Sequence, residues 1–146
     1  MTARSILLVE DNPSDIALTQ RAVAKSAIKH PLVVAEDGQQ ALDYLFASGA
    51  HASRDAADTP ILILLDLKLP RIDGLEVLRR LRGDSRTRRI PVVILTSSGE
   101  ETDIAAAYDL GTNSYIRKPV DFHQFAETIK QLGLYWLAIN EPPPKT

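Results

Sequence analysis

Short apolar runs alternate along this chain with stretches whose apolar positions recur at helical spacing. Five runs read as strands: Ser5 to Val9, Pro31 to Ala35, Ile61 to Leu65, Pro91 to Leu95 and Ser114 to Arg117. The third, Ile61-Leu62-Ile63-Leu64-Leu65, follows Pro60 and ends in Asp66. Five branched aliphatic residues without alternation predict a strand buried on both faces, as at the centre of a parallel sheet. Between the runs, Asn12-Pro13-Ser14-Asp15 predicts a helix start: Asn12 can cap, Pro13 suits the first helical position, and Asp15 suits the positive end. Ile16, Val23 and Ala27 give that helix an apolar stripe running to about Ile28. Asp37-Gly38 turns into a helix with Ala41, Leu42, Leu45 and Phe46 on one face, and the loop 67–74 leads to another with Val77, Leu78 and Leu81. A helix through Ile104 to Asp109 stops at Gly111, and the last helix starts near Asp121. Residues 49–59 form a polar, small-residue loop longer than most such connections. Strand and helix alternation predicts an α/β fold, a doubly wound five-stranded parallel sheet with right-handed crossovers and helices on both faces.

The 146 residues, 45% hydrophobic and 25% charged, suffice for one core. The division expected is 1–140 as the domain, with an extended C-terminal helix or arm, and 141–146 as a short Pro-rich tail. A net charge of -2 gives no reason to expect a nucleic-acid or membrane partner. The lack of Cys excludes disulfides and thiolate metal sites, and no run has the length of a secretory or membrane segment, so a cytoplasmic protein is expected. Arg79, Arg80, Arg82, Arg86, Arg88 and Arg89 form a basic run before the fourth strand, expected as a solvated or partner-facing surface at the opposite rim from the acids. His30, His51 and His123 lack metal-ligand spacing.

Ligands of open parallel sheets bind beyond the carboxyl ends of the strands. Those ends carry Glu10 and Asp11, then Asp66, then Thr96, then Lys118. Crowded carboxylates take up protons unless a hard divalent cation keeps them ionised, and Mg²⁺ suits such oxygen ligands while leaving room for phosphate. Held by Asp11, Asp66 and a carbonyl of the following loop, that ion leaves one Asp66 oxygen free as a nucleophile toward phosphorus. The Lys118 ammonium and Thr96 hydroxyl can then stabilise the charge of a transferring phosphoryl group.

With Glu10-Asp11, Leu65-Asp66, Pro70, Asp73-Gly74, Thr96-Ser97, Tyr115 and Lys118-Pro119 in these places, the chain resembles the receiver domain of two-component response regulators over nearly its full length. The resemblance implies a flavodoxin-like strand order, 2-1-3-4-5. It also implies phosphorylation of Asp66 by a sensor histidine kinase, and Mg²⁺ on Asp11, Asp66 and the Lys68 main-chain carbonyl, with Glu10 reached through water. Thr96, Ser97 and Lys118 become the phosphoryl-binding and switch residues, Tyr115 their follower, and Pro119 a cis-proline. Signalling would pass through the face of the fourth helix, fifth strand and last helix, without enzymatic activity beyond loss of its own phosphoryl group. The loop before Ile61, the phrase Ile90 to Ser98 and Tyr135-Trp136-Leu137 look like the single-domain regulators that accompany bacterial and cyanobacterial phytochromes, which implies a light-regulated kinase as partner.

Two other readings compete. An Asp-nucleophile phosphohydrolase of the haloacid-dehalogenase type needs a second acid two residues after the nucleophile, where this chain has Lys68. A pseudo-receiver acting only as a binding module has no use for the whole pocket set. Finally, Phe122, Phe125, Ile129, Leu132, Trp136 and Ile139 recur at spacings of three, four or seven, a longer stripe than one sheet needs. It predicts a homodimer built from Phe122, Phe125, Ile129, Tyr135, Trp136 and Leu137, with Gly133 letting the last turn swing out as an arm.

Overall fold

The computed structural model describes residues 4–26 and 28–144, so Ala27 of the first stripe and the ends of the chain lie outside the described residues. Five strands, β1 (Ile6–Val9), β2 (Leu32–Ala35), β3 (Leu62–Leu65), β4 (Val92–Thr96) and β5 (Ser114–Arg117), form one sheet. Its order is β2-β1-β3-β4-β5 and every neighbour is parallel. The expected doubly wound, flavodoxin-like arrangement is therefore the observed one. The first four strands start one residue later than their apolar runs, because Ser5, Pro31 and Pro91 act there only as acceptors: their carbonyls take the N–H groups of Ile61, Ile6 and Ile63 at 2.8 to 3.0 Å. The two prolines have no N–H to return.

Residues of β3 alternate between two cores. Ile63 and Leu65 join Leu7, Val9, Val92 and Ile94 on one face, whereas Leu62 and Leu64 join Ile6, Leu8, Val93 and Leu95 on the other. The first face is covered by α2 (Gly38–Phe46), α3 (Gly74–Arg82) and α4 (Glu101–Asp109) through Leu42, Leu45, Val77, Leu78, Leu81 and Ala107. The second is covered by α1 (Pro13–Lys25) and α5 (Phe122–Gly133). Each large side chain so buried contributes about 1.5–3 kcal/mol, which is why both faces are apolar without alternation. Helix α1 stops before Ile28, since Ser26 leaves the helical region and turns its N–H and hydroxyl onto the Val23 carbonyl. Residues 49–59 are fastened rather than loose: a 3₁₀ turn spans Gly49–His51, and Arg54 lies 3.9 Å over the Tyr44 ring while donating to the Tyr44 and Asp58 carbonyls.

The C-terminal stripe departs from expectation. Phe125 and Ile129 are buried in this chain's own core together with Leu132, so they are not available to a partner. Gly133 does not release an arm. Helix α5 runs on into a π-helical segment, Leu134–Ile139, and Trp136 and Leu137 pack partly against the same core. The periodicity was that of a helix with a covered face, and the cover is α1 together with the segment that follows it: α1 packs along α5, and a Cβ on Gly133 would collide with the side chain of Ile28, just beyond α1. Phe122, Leu134, Tyr135 and Ile139 remain exposed.

The basic run is divided. Arg79 and Arg80 hold Glu76 along α3, and Arg86 holds Asp84, as a solvated face does. Arg82 turns inward instead. Its guanidinium donates to the carbonyls of Gly111, Arg88 and Ile90 and to Asn113 Oδ1, all at 2.8 to 3.0 Å. Asn113 in turn accepts from Val92 N–H, so Arg82 ties α3 to the start of β4 and the turn before β5. Replacing Arg82 by Lys keeps the charge and loses the fork. Chemical denaturation is expected to show a loss of about 1–3 kcal/mol for Arg82→Lys, against less than about 0.5 kcal/mol for Arg88→Ala on the open surface.

Candidate functional site

Three ladder bonds fix the carboxyl rim of the sheet. Glu10 N–H donates to the Ala35 carbonyl at 2.9 Å, Asp66 N–H to Val9 at 3.0 Å and Lys118 N–H to Thr96 at 2.7 Å. Each of these residues is thus the first beyond a strand, for Glu10 and Asp66 one whose side chains fill the core, and its backbone is still held by the neighbouring strand. Glu10, Asp66 and Thr96 are buried, while Asp11 stands exposed at the mouth. Carboxylate oxygens of Glu10, Asp11 and Asp66 lie within 4.8 Å of one another.

Lys118 closes the pocket from the far side of the sheet. Its ammonium lies 2.5 Å from Glu10 Oε1, 2.8 Å from Asp15 Oδ2 and 3.1 Å from Asp66 Oδ2. The other oxygen of Asp66 accepts the Leu67 N–H at 2.7 Å. Asp15 was read from sequence only as a favourable first-turn charge; its pairing with a lysine 103 positions away leaves no local signature. The Lys118–Pro119 bond, expected cis, is trans. Trans is the lower-energy isomer before proline by roughly 0.5–1 kcal/mol, and from it Lys118 already reaches all three carboxylates.

The loop after Asp66 is bound tightly to its surroundings. Gly74 N–H returns to the Leu67 carbonyl at 2.9 Å, and any Cβ on Gly74 would run into the Asp66 carbonyl. Arg71 adopts a left-handed backbone at φ 68° and reaches toward Asp37, the cap of α2. The Lys68 carbonyl accepts no backbone hydrogen bond among the described residues. On the other side, Thr96 Oγ1 accepts the Ser98 N–H at 3.4 Å while Ser97 is exposed. Ser98, to which the sequence reading gave no role, is the connected one. Its hydroxyl donates to Asp103 Oδ2 at 2.6 Å, its carbonyl accepts the Tyr115 hydroxyl at 2.8 Å, and Lys68 lies 3.4 Å from the same Asp103 oxygen. The histidines take no part: His30 bonds the Arg4 carbonyl, and His51 and His123 sit edge-on to neighbouring rings.

Burial raises the Glu10 carboxyl to about 7, with the charge of Asp66 acting in the same direction and Lys118 opposing it. Burial would lower the Lys118 ammonium, but hydrogen bonds to Asp15 and Glu10 and the charge of Asp66 outweigh it, so the lysine stays protonated. One ammonium among four carboxylates leaves the pocket short of positive charge. Three hard oxygen donors at this spacing fit a divalent cation, which such ligands hold in preference to softer metals. Two concavities of about 130 and 500 Å³ lie elsewhere, along Arg88, Arg89 and Pro143, and have no part in this chemistry.

Comparison with known proteins gives the class. The model of the response regulator receiver domain matches residues 6–130, and the chain belongs to that family. Within it, the chain is 40% identical over 139 residues to "Probable methanogenesis regulatory protein FilR2" of Methanothrix harundinacea, covering 94% of this chain and 86% of that one. Response regulator Rcp1 of Synechocystis is 38% identical over 132 residues, covering 90% and 88%. An Rcp1 structure in its Mn²⁺-bound form superposes with a TM-score of 0.89 at 36% identity over 97% of this chain and 99% of that one. The phosphorylated cyanobacterial phytochrome response regulator RcpA superposes with a TM-score of 0.91 at 41% identity, over 98% and 100%. Receiver domains interact with sensor histidine kinases and bind divalent metal, and the acidic cluster is in keeping with the metal.

A raised acid favours the folded state when protonated, so its contribution is present below the unfolded value near 4.5 and is lost as pH rises through about 7. The metal-free protein is therefore expected to lose stability between pH 5 and pH 8, and Glu10→Gln to flatten that fall, as read by denaturant midpoints. Divalent-ion affinity should rise over the same range, because the metal needs the carboxylate. Equal slopes in the two proteins would contradict the assignment.

Proposed function

We propose that the protein is a phosphoacceptor whose Asp66 takes a phosphoryl group from the phosphohistidine of a sensor kinase, with Mg²⁺ as the cofactor. The observation that carries this is Asp66 itself. One of its oxygens is held by Leu67 N–H and the other by Lys118, within a carboxylate group spaced for a cation. In the transfer, an Asp66 oxygen forms a bond to phosphorus as the P–N bond to imidazole breaks and the imidazole leaves. Asp11, Asp66 and the Lys68 carbonyl, with Glu10 through water, would hold Mg²⁺, which supplies positive charge to the phosphoryl oxygens. Lys118 binds one such oxygen, and Thr96 with Ser97 receives another. The connected Thr96, Ser98 and Tyr115 make the face of α4, β5 and α5 the natural output surface. A phosphohydrolase reading finds no second acid after Asp66, where Leu67 and Lys68 stand.

Similarity to RcpA supports a phytochrome-type, light-regulated kinase as the donor. Such a kinase draws on ATP, which supports a cytoplasmic place of action. A homodimer is the assembly we propose, now built on Phe122, Leu134, Tyr135 and Ile139, with the exposed edges of Trp136 and Leu137. An apolar strip left in water on one helix is the usual mark of such an interface.

Incubation with acetyl phosphate and Mg²⁺ is expected to give an acid-stable, base-labile label that EDTA prevents and Asp66→Asn abolishes. Beryllofluoride should shift the Tyr115 resonances as well as those of the pocket. Labelling of Asp66→Asn at the parental level would refute the assignment, and a red against far-red difference in transfer from a phytochrome kinase would identify the donor class. Light scattering on the eluting protein should report a dimer, and a monomer for Leu134→Ser combined with Ile139→Ser; a parent that is monomeric at high micromolar concentration rules the assembly out.

A further inference from the structure

The Lys118 ammonium lies against three carboxylates, Glu10 at 2.5 Å, Asp15 at 2.8 Å and Asp66 at 3.1 Å, and donates hydrogen bonds to the last two. The ammonium is therefore saturated before any phosphoryl group arrives. To bind a phosphoryl oxygen it must give up one partner. The three differ in what release costs. The Glu10 side chain is 3% exposed, and setting it free strands a carboxylate in the interior. Asp66 loses its carboxylate charge on modification, but the phosphoryl group it gains carries more, so the demand on the ammonium at that corner rises. The Asp15 side chain is 23% exposed, sits in the first turn of α1 and can be taken up by water and the positive end of that helix.

We propose that Asp15 is a positioning residue that holds Lys118 in reserve, competing with the phosphoryl oxygens for its ammonium and released when Asp66 is modified. The inference rests on the phosphoacceptor reading and adds a residue to it. Phosphorylation then has a consequence on α1 as well as on α4: a carboxylate bound to the pocket in the resting protein becomes a free charge on the exposed first turn. The helix itself does not depend on that side chain, because its cap is made by Asn12 Oδ1 with the backbone N–H groups of Ser14 and Asp15. The packing beneath it is equally independent, since Thr19 bonds the Asp15 carbonyl rather than its carboxylate.

Removing a competitor for Lys118 tightens whatever Lys118 binds. Beryllofluoride, which stands in for the phosphoryl group on Asp66, should bind Asp15→Asn about three- to tenfold more tightly than the parent in the presence of Mg²⁺. Asp15→Glu should return to within about twofold of it, since the carboxylate is restored. A loss of negative charge could tighten anion binding by itself, and Lys118→Ala separates the two: in that background Asp15→Asn should have no effect. Should Lys118→Ala bind too weakly to titrate, the Lys118 Nζ resonance of ¹⁵N-lysine protein decides. Parent and Asp15→Asn should differ without beryllofluoride and coincide with it. Tightening that persists without Lys118, no tightening at all, or Nζ signals that differ equally in both states overturns this inference alone. A parent protein that binds no beryllofluoride overturns the phosphoacceptor reading and this inference together.

Discussion

The ammonium of Lys118 is the fixed point of this molecule. It joins the end of β1, the first turn of α1 and the end of β3 to the end of β5, contacts between residues as far apart in sequence as Glu10 and Lys118. A lysine so enclosed is tolerated only because its partners are charged, and its partners stay together only because it is there. Even so, one positive charge among Glu10, Asp11, Asp15 and Asp66 leaves the site electrically unfinished. Burial first, and the charge of Asp66 after it, raise the Glu10 carboxyl, so without a cation the pocket favours a proton there. A pocket that takes a proton when metal-free is one that exchanges it for a metal, and the phosphoryl chemistry proposed here needs that exchange.

The fold supplies the precision that such crowding requires. The three central strands, β1, β3 and β4, have interiors of aliphatic residues buried on both faces, so the polar residue that ends each run is placed at the same rim. Ladder bonds continue one residue past β1, β3 and β5, which fixes Glu10, Asp66 and Lys118 at their backbones before any side-chain contact is made. The glycine at 74 serves the same end, allowing the loop to close against the Asp66 carbonyl where any side chain would obstruct it.

Most of this was legible in the sequence because its signals are local. An unbroken aliphatic run names a buried strand, and the residue that ends it names the rim. Asp15 does stand in the first turn of α1 as read, but its second partner was missed because a first-turn acid has a sufficient local explanation in the helix dipole and nothing nearby in the chain hints at Lys118. Arg82 was lost in a run of arginines for the same reason: its carbonyl partners lie between 6 and 29 residues away, and its neighbours at 79, 80 and 86 really are solvated. The stripe on α5 failed differently. Periodicity shows that a face is covered but not by what, and α1 with the sheet covers Phe125, Ile129 and Leu132 before any second chain can. Isomer choice at Pro119 carries no sequence signal beyond the permissiveness of proline itself.

The pocket has two exits of unequal kind. Toward α4 the links are hydrogen bonds in series, from Thr96 to Ser98 and from Ser98 to both Tyr115 and Asp103, with Lys68 closing the ring back to the loop after Asp66. Each has a defined geometry, so a displacement of Thr96 is passed on as movement. Toward α1 there is one ion pair, Lys118 with Asp15, which tolerates displacement and responds to charge. The helices behind these exits are supported unequally as well. Helix α1 lies along α5, with Ile16, Leu18, Ala22 and Val23 packed on the core between them, whereas α4 meets α3 and β5 only over a short stretch and sets Ala107 into the opposite core. A helix so lightly anchored can shift at little cost, and one packed along its length cannot. On the proposed phosphoacceptor reading, geometry would be transmitted on the α4 side, where the structure yields, and charge on the α1 side, where it does not.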